Sequence, residues 1–281
     1  MPNLRFMFLG DIVGQSGCAM VQKWIPKLKE KYKFDGLIVN GENSSNRGKG
    51  IGPKLVQFFK DCGVDIITSG NHIFQKKEIF ETLNERNDII RPANYPAQCP
   101  GKGFAIFEKN NFSIAVINLQ GQIFMHQHLD SPFRTVESIL TFLRTKTNII
   151  FVDFHAEATS EKQVMGLFLD GKVSAVLGTH THVQTADEKI MPGGTAFISD
   201  LGFCGAQHSV IGDKYDIILR HFLTQMPAKF EVEIKGPMVL FGAIVDVDTN
   251  SGKALKIERV KVVDDEIQEM LKSDKTPSRS P

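Results

Sequence analysis

Phe6-Met7-Phe8-Leu9-Gly10-Asp11 is an apolar run that ends on a carboxylate. It is short, apolar-rich and closed by a glycine and a polar residue, so it predicts a buried strand. The same design recurs along the chain. Residues 37–40 run into Gly41-Glu42-Asn43, residues 66–70 into Asn71-His72, residues 149–154 into His155, and residues 175–179 into His180-Thr181-His182. In open α/β sheets, ligands bind outside the carboxyl ends of the strands. Strand ends that carry only Asp, Glu, Asn and His to one rim predict a cation site of oxygen and imidazole donors.

Helical patterns separate these runs. Residues 20–32 place Val21, Trp24, Ile25 and Leu28 on one face, and Pro26 predicts a kink or a late start. Further helices are expected over 53–62, with Pro53 in the first turn, and over 77–84, 135–144 and 161–170. The alternation argues for an α/β fold with a largely parallel sheet and helices on its faces. Residues 89–119 break the pattern. Arg91-Pro92-Ala93-Asn94-Tyr95-Pro96 is extended, and residues 104–108 and 112–119 flank Lys109-Asn110-Asn111 as a hairpin. Residues 120–133 form a long loop whose Phe124, Met125, Leu129 and Phe133 suit a cover over the rim. Residues 230–263 read as antiparallel strands around the turn Asp248-Thr249-Asn250-Ser251-Gly252. The expected organisation is one domain over 1–270, with a small insert or lid near 90–133 and a disordered tail over 271–281.

A formal net charge of +1 gives no global reason to expect nucleic acid or a membrane as partner. No apolar run approaches membrane-spanning length. Met1-Pro2-Asn3-Leu4-Arg5 lacks the zones of a signal peptide, so a cytoplasmic protein is expected. Cys18, Cys62, Cys99 and Cys204 are widely spaced, without a C-x-x-C pair, and read as idle thiols.

Each candidate ligand has an ordinary alternative. Asp11 and Asn71 could cap helices, Glu42 and Asn43 could solvate a loop, and His155 could be a hydrogen-bonded core residue. The joint placement decides the matter, because each alternative needs its own coincidence. Asp11, Glu42, Asn43, Asn71, His155, His180 and His182 exceed the needs of one tetrahedral ion. Two ions about 3.5–4 Å apart, sharing a carboxylate, would use them all. Oxygen donors mixed with imidazole suit Mn, Fe, Zn or Co. Gly48-Lys49-Gly50 lacks the spacing of a phosphate loop, and no G-x-S-x-G elbow supports a serine hydrolase.

Gly70-Asn71-His72, the isolated His155 and Gly178-Thr179-His180-Thr181-His182 together resemble the calcineurin-type metallophosphoesterases. The general pattern of that superfamily is D-x-H, G-D, G-N-H, a lone H and G-H-x-H. This chain departs from it with Asp11-Ile12-Val13, with Gly41-Glu42-Asn43, and with Thr179 before His180. The departures resemble the YmdB-like subfamily of bacterial phosphodiesterases. So do Leu9-Gly10-Asp11-Ile12-Val13-Gly14, Asn40-Gly41-Glu42-Asn43, Asp153-Phe154-His155-Ala156-Glu157-Ala158-Thr159-Ser160 and Gly178 through Asp187.

The resemblance implies a layered α/β/β/α sandwich and a dinuclear metal-dependent phosphodiesterase. It implies attack by a metal-bridging hydroxide on a cyclic nucleotide, with 2′,3′-cyclic AMP first among candidates. Asp11, Asn43 and His182 would bind one ion, Asn71, His155 and His180 the other, and Glu42 both. His72 would act as catalytic acid or charge stabiliser at the leaving group. The ions would be divalent or mixed-valence, iron or manganese, with zinc or magnesium as alternatives. The alternative functions are a regulatory nucleotide- or RNA-binding protein on the same metal site, and a general phosphatase or nucleotidase. RNA is disfavoured by the lack of an aromatic and basic stripe. The expected partner is a small cyclic nucleotide or phosphodiester, and a homo-oligomer is compatible with the sequence.

Overall fold

The computed structural model describes residues 3–267, so the expected tail lies outside the described residues. Two six-stranded sheets stack face to face, each with helices on its outer side. The first sheet holds β1 (Asn3–Ile12), β2 (Gly36–Asn40), β3 (Ile66–Thr68), β10 (Phe203–Ala206), β11 (Met238–Asp248) and β12 (Ala254–Asp264). Its order is β12-β11-β10-β1-β2-β3, with β11 also paired to β1. The second holds β4 (Phe104–Lys109), β5 (Phe112–Gln120), β6 (Ile149–His155), β7 (Ala175–Thr179), β8 (Lys189–Ile190) and β9 (Ala196–Ile198) in the order β4-β5-β6-β7-β9-β8. The expected parallel core is present as β1-β2-β3 and β5-β6-β7-β9, but each sheet is mixed. The antiparallel β11–β12 ribbon matches the reading of residues 230–263, and β4–β5 is the expected hairpin.

The two faces of β1 explain the layering. Successive strand side chains point to opposite faces. Phe6 and Phe8 face inward and meet Phe151 of the second sheet, with ring centroids 4.7 and 4.9 Å apart. Met7 and Leu9 face outward, into the core shared with α1 (Gly14–Tyr32), α2 (Pro53–Asp61) and α3 (Ile79–Glu85). On the far side, α4 (Pro132–Leu143) and α5 (Thr159–Leu169) cover the second sheet through Val136, Leu140, Met165 and Leu169. With both faces buried, the central strands β1, β2, β6 and β7 read as continuous apolar runs rather than alternating ones.

Helix α1 departs from expectation. It starts at Gly14 and runs through Pro26. Its first turns carry Ser16, Gly17 and Ala19, small residues that give no amphipathic signal yet are buried. At Gly17 a Cβ would lie 2.4 Å from the Cys204 carbonyl oxygen, so small size permits the close approach to β10. Pro26 lies on the exposed face of the helix, as does Gln22 one turn earlier, whose carbonyl loses its helical partner to the proline. Strand β10 and the helix α6 (Tyr215–Thr224) were not anticipated from the sequence. Residues 104–120 are strands of the second sheet, and residues 121–131 form the loop that follows. Among the described residues, no helix is long and apolar enough to cross a membrane, and all four cysteines are free.

Candidate metal centre

Parallel register brings the carboxyl ends of both sheets to one rim. Asp11 pairs with Asn40, and Asn40 with Thr68, so the turns after β2 and β3 emerge beside Asp11. Across the sandwich, His155 pairs with Thr179, which places it beside the His180-Thr181-His182 turn. The seven candidate ligands fall into two adjoining groups.

The first group surrounds His155 Nε2. Asn71 Oδ1 lies 3.0 Å from it, His180 Nδ1 3.0 Å and Glu42 Oε1 3.2 Å. Backbone at Gly70 makes room for this. A Cβ there would stand 2.2 Å from the His155 ring and 2.4 Å from Glu42 Oε2. The second group surrounds His182 Nε2, with Asp11 Oδ1 at 3.7 Å and the Asn43 side-chain amide at 3.2 Å. The amide's oxygen and nitrogen are interchangeable by rotation.

Each of the three histidines has one ring nitrogen fixed by a neighbour and the other turned into the cluster. His155 Nδ1 is 2.9 Å from Thr179 Oγ1, which donates to Asp153 at 2.6 Å. His180 Nε2 is 3.1 Å from Glu157 Oε2. His182 Nδ1 is 2.6 Å from the Ile211 carbonyl oxygen. Outer partners of this kind orient a ligating imidazole and select its tautomer. Asp153 is buried and also accepts from Asn40 and Thr68. Burial pushes its carboxyl up to about 6, against the pull of His155 and its hydroxyl partners.

The turn that carries two of these histidines is strained. His180 has φ +101° and His182 φ +63°, values that non-glycine residues seldom adopt. Surrounding contacts hold them there. The His180 amide donates to Asp11 Oδ2 at 3.0 Å. Thr181 donates through its amide and its hydroxyl to Asp200 Oδ2, at 3.0 and 2.8 Å. The same oxygen receives Lys162 Nζ at 2.6 Å, in a pair that is almost wholly buried.

The electrostatics favour positive charge. Burial would raise the carboxyls of Asp11 and Glu42. Histidines outweigh it, His182 and His155 for Asp11 and His155 and His72 for Glu42, and both are held below the usual carboxylate range. Burial would lower His155, but Glu42, Asp11 and Asp153 reverse this and raise it to about 9. His180, burdened by burial and by His155, is pushed down to about 3. Asp11 Oδ1, Glu42 Oε1 and Asn43 Oδ1 are buried without a hydrogen-bond partner. Buried oxygens of this kind call for an explanation, and a cation is a sufficient one. The donor atoms of Glu42, His155 and His180 all lie within 4.8 Å of one another.

His72 stands beside the first group, next to Asn71 and Glu42. Its amide donates to Glu42 Oε2 at 3.0 Å, which leaves Oε1 to the cluster. Its ring lines the cavity that opens over the cluster, and Nδ1 has no partner. Lys49 lines the same cavity, whereas Arg47 lines a neighbouring one. The loop over residues 121–131 reaches the site's border, where Gln127 donates to the Asn71 carbonyl at 3.4 Å. The cavity wall itself comes from elsewhere, from Val210, Ile211, Ile218, Phe222 and Phe230. Those residues, and Glu157, were not singled out from the sequence.

A family model described as YmdB-like protein matches residues 7–260. The chain belongs to the YmdB-like family. A 2′,3′-cyclic-nucleotide 2′-phosphodiesterase of Bacillus subtilis (strain 168) is 45% identical over 262 residues, covering 93% of this chain and 98% of that protein. A crystal structure of a novel phosphatase from Mycoplasma pneumoniae superposes with a TM-score of 0.88 at 37% identity, covering 96% of this chain and 97% of that one. A calcineurin-like phosphoesterase from Bacillus subtilis shares the fold, with a TM-score of 0.57 at 13% identity over 94% of this chain and 90% of that one.

Proposed function

We propose that this chain is a cytoplasmic, dinuclear metal-dependent phosphodiesterase acting on cyclic nucleotides, with 2′,3′-cyclic AMP the leading substrate. The observation that carries this reading is the pair of donor groups around His155 Nε2 and His182 Nε2, each with a buried carboxylate oxygen left unpartnered, Glu42 Oε1 in the first and Asp11 Oδ1 in the second. The name of the Bacillus subtilis relative supports the substrate class.

Asn71, His155 and His180 would hold one ion, Asp11, Asn43 and His182 the other, and Glu42 would serve both. Iron or manganese suits this oxygen and imidazole set best, with zinc or magnesium as alternatives. When bound, the two ions ionise water and neutralise charge on the phosphoryl group. The chain's own part is preorganisation. Thr179, Glu157 and the Ile211 carbonyl aim the three imidazoles, and the His72 amide aims Glu42. The His72 ring lines the cavity with Nδ1 unpartnered and would serve the leaving oxygen as acid or charge stabiliser; burial lowers its pKa, so the charged form would depend on the anionic substrate beside it.

The test is turnover of 2′,3′-cyclic AMP and bis-p-nitrophenyl phosphate by purified protein, before and after chelation and with Mn²⁺ or Fe²⁺ restored. Metal-dependent turnover of both is expected. Nucleotide binding without turnover in any metal would replace this reading with a regulatory binding protein.

A further inference from the structure

We infer that the apolar lining of the cavity beside the donor cluster is a nucleobase subsite, with Phe222 and Phe230 as its platform. The inference rests on the phosphodiesterase reading for the position of the phosphate, and it adds where the rest of the substrate lies. The cavity measures about 390 Å³, within the range of small-molecule sites. Its lining combines two chemistries. Glu42, Asn43, His72, His180 and His182 supply polar atoms, and Val210, Ile211, Ile218, Phe222 and Phe230 supply apolar surface. A ligand with its anionic group at the polar residues has apolar lining for its remaining atoms.

The apolar lining is not simply core. Of α6, only Ile218 is buried. Phe222 is 66% exposed, Ile211 53% and Phe230 36%. Aromatic surface left to water at the mouth of a polar site suits a planar partner, because every base offers a π-face for stacking. Lys49, Glu157 and Asp213 are further charged groups of the same lining, and they suit polar edges of a nucleoside rather than a hydrocarbon ligand.

The wall is fixed to the cluster. The Ile211 carbonyl accepts from His182. The two limbs of the segment are tied by Lys214 N to the Glu231 carbonyl at 2.8 Å and by Glu233 N to the Gly212 carbonyl at 2.9 Å. Val232 then packs with Val13 beneath them. A platform held this way keeps one distance from the phosphate end, which a nucleotide needs and a base-less diester does not use.

The experiment compares wild type with F222A and the double variant F222A/F230A, checked for unchanged thermal unfolding and metal content. KM is measured for 2′,3′-cyclic AMP and for glycerol 1,2-cyclic phosphate, and adenosine binding is measured by calorimetry. Removal of a stacking partner should raise KM for the nucleotide roughly tenfold, with a smaller change for the base-less diester. Adenosine should bind wild type and bind the double variant at least tenfold more weakly. Equal changes for both diesters, or adenosine binding that is absent or insensitive to the substitutions, would overturn the subsite. A concentration-dependent dimer lost in the variants, with adenosine binding intact, would also overturn it and make the patch a self-association face. Lost adenosine binding in a protein whose wild type cleaves neither diester would instead keep the subsite and overturn the phosphodiesterase reading.

Discussion

His182 Nδ1 and the carbonyl oxygen of Ile211 lie 2.6 Å apart. This contact joins a candidate metal ligand to the segment that walls the cavity. It leaves Nε2 free to face Asp11 and Asn43. A neutral imidazole carries one proton, so a donor bond at Nδ1 makes Nε2 the lone-pair nitrogen. His155 and His180 are arranged on the same principle, each by a different outer partner.

Metal content should follow the two donor groups. Wild type is expected to hold about two equivalents per chain, and His182→Ala about one, because its group serves one ion. Glu42→Ala should weaken both. Elemental analysis of the purified proteins decides this. One tight equivalent in wild type, unchanged in Glu42→Ala, would remove Glu42 from its shared role.

His72→Ala separates chemistry from metal binding. The ring touches the cavity, while only the backbone amide supports Glu42. The variant should therefore keep its metal and lose a factor of roughly 10²–10⁴ in turnover. Substrates with acidic leaving groups should suffer less, since they need less help on departure. Loss of metal from this variant would make His72 a ligand.

Glu157 is half-exposed, yet its carboxylate reaches His180 Nε2 at 3.1 Å. Glu157→Gln should lower metal affinity by roughly 10–100-fold, the usual effect of removing an outer carboxylate from a ligating histidine. Competition with a chelator of known affinity measures it. An unchanged affinity would mean that the contact merely solvates Glu157.

Much of this architecture was legible in local pattern. Short apolar runs bounded by glycine or polar residues mark β1, β2, β3, β6 and β7, and their shared parallel direction puts Asp11, Glu42, Asn71, His155 and His180 on one rim. What was hidden depends on distant partners. Strand β10 is only Phe-Cys-Gly-Ala, and it exists because Phe203 pairs with Asp11. The start of α1 is hidden because Gly14, Ser16 and Gly17 are chosen for closeness, not for apolar area. Helix α6 shows its role only beside the cavity. A carbonyl acceptor such as that of Ile211 has no signature in sequence at all.

The strained His-x-His turn should depend on the buried pair behind it. Lys162 Nζ and Asp200 Oδ2 meet at 2.6 Å with both side chains almost fully buried, and Asp200 also holds Thr181. Asp200→Ala leaves the lysine charge buried and unpaired, at a cost of about 3–5 kcal/mol. Urea unfolding should show that loss, together with lower metal affinity as Thr181 is released. Unchanged stability would mean that Lys162 finds water or another acceptor.

Diesters and cyclic diesters should be cleaved much better than monoesters. A phosphate monoester carries an additional negative charge near neutral pH, and two cations alone would tolerate it. The discrimination has to come from the protein around them. At the position where the wider superfamily places a first-motif histidine, this chain has Val13, buried against Phe203, Val232 and Val239. That removes one donor of positive charge or hydrogen bonds beside the phosphoryl oxygens. Asp11 and Glu42 are both held in their anionic form, and both are buried, where like-charge repulsion is poorly screened. A singly charged diester meets less of this repulsion than a doubly charged monoester. The measurement is kcat/KM at neutral pH for 2′,3′-cyclic AMP against the adenosine 2′- and 3′-monophosphates, with Mn²⁺ supplied. Faster hydrolysis of the monophosphates would assign the same donor cluster to a nucleotidase or general phosphatase.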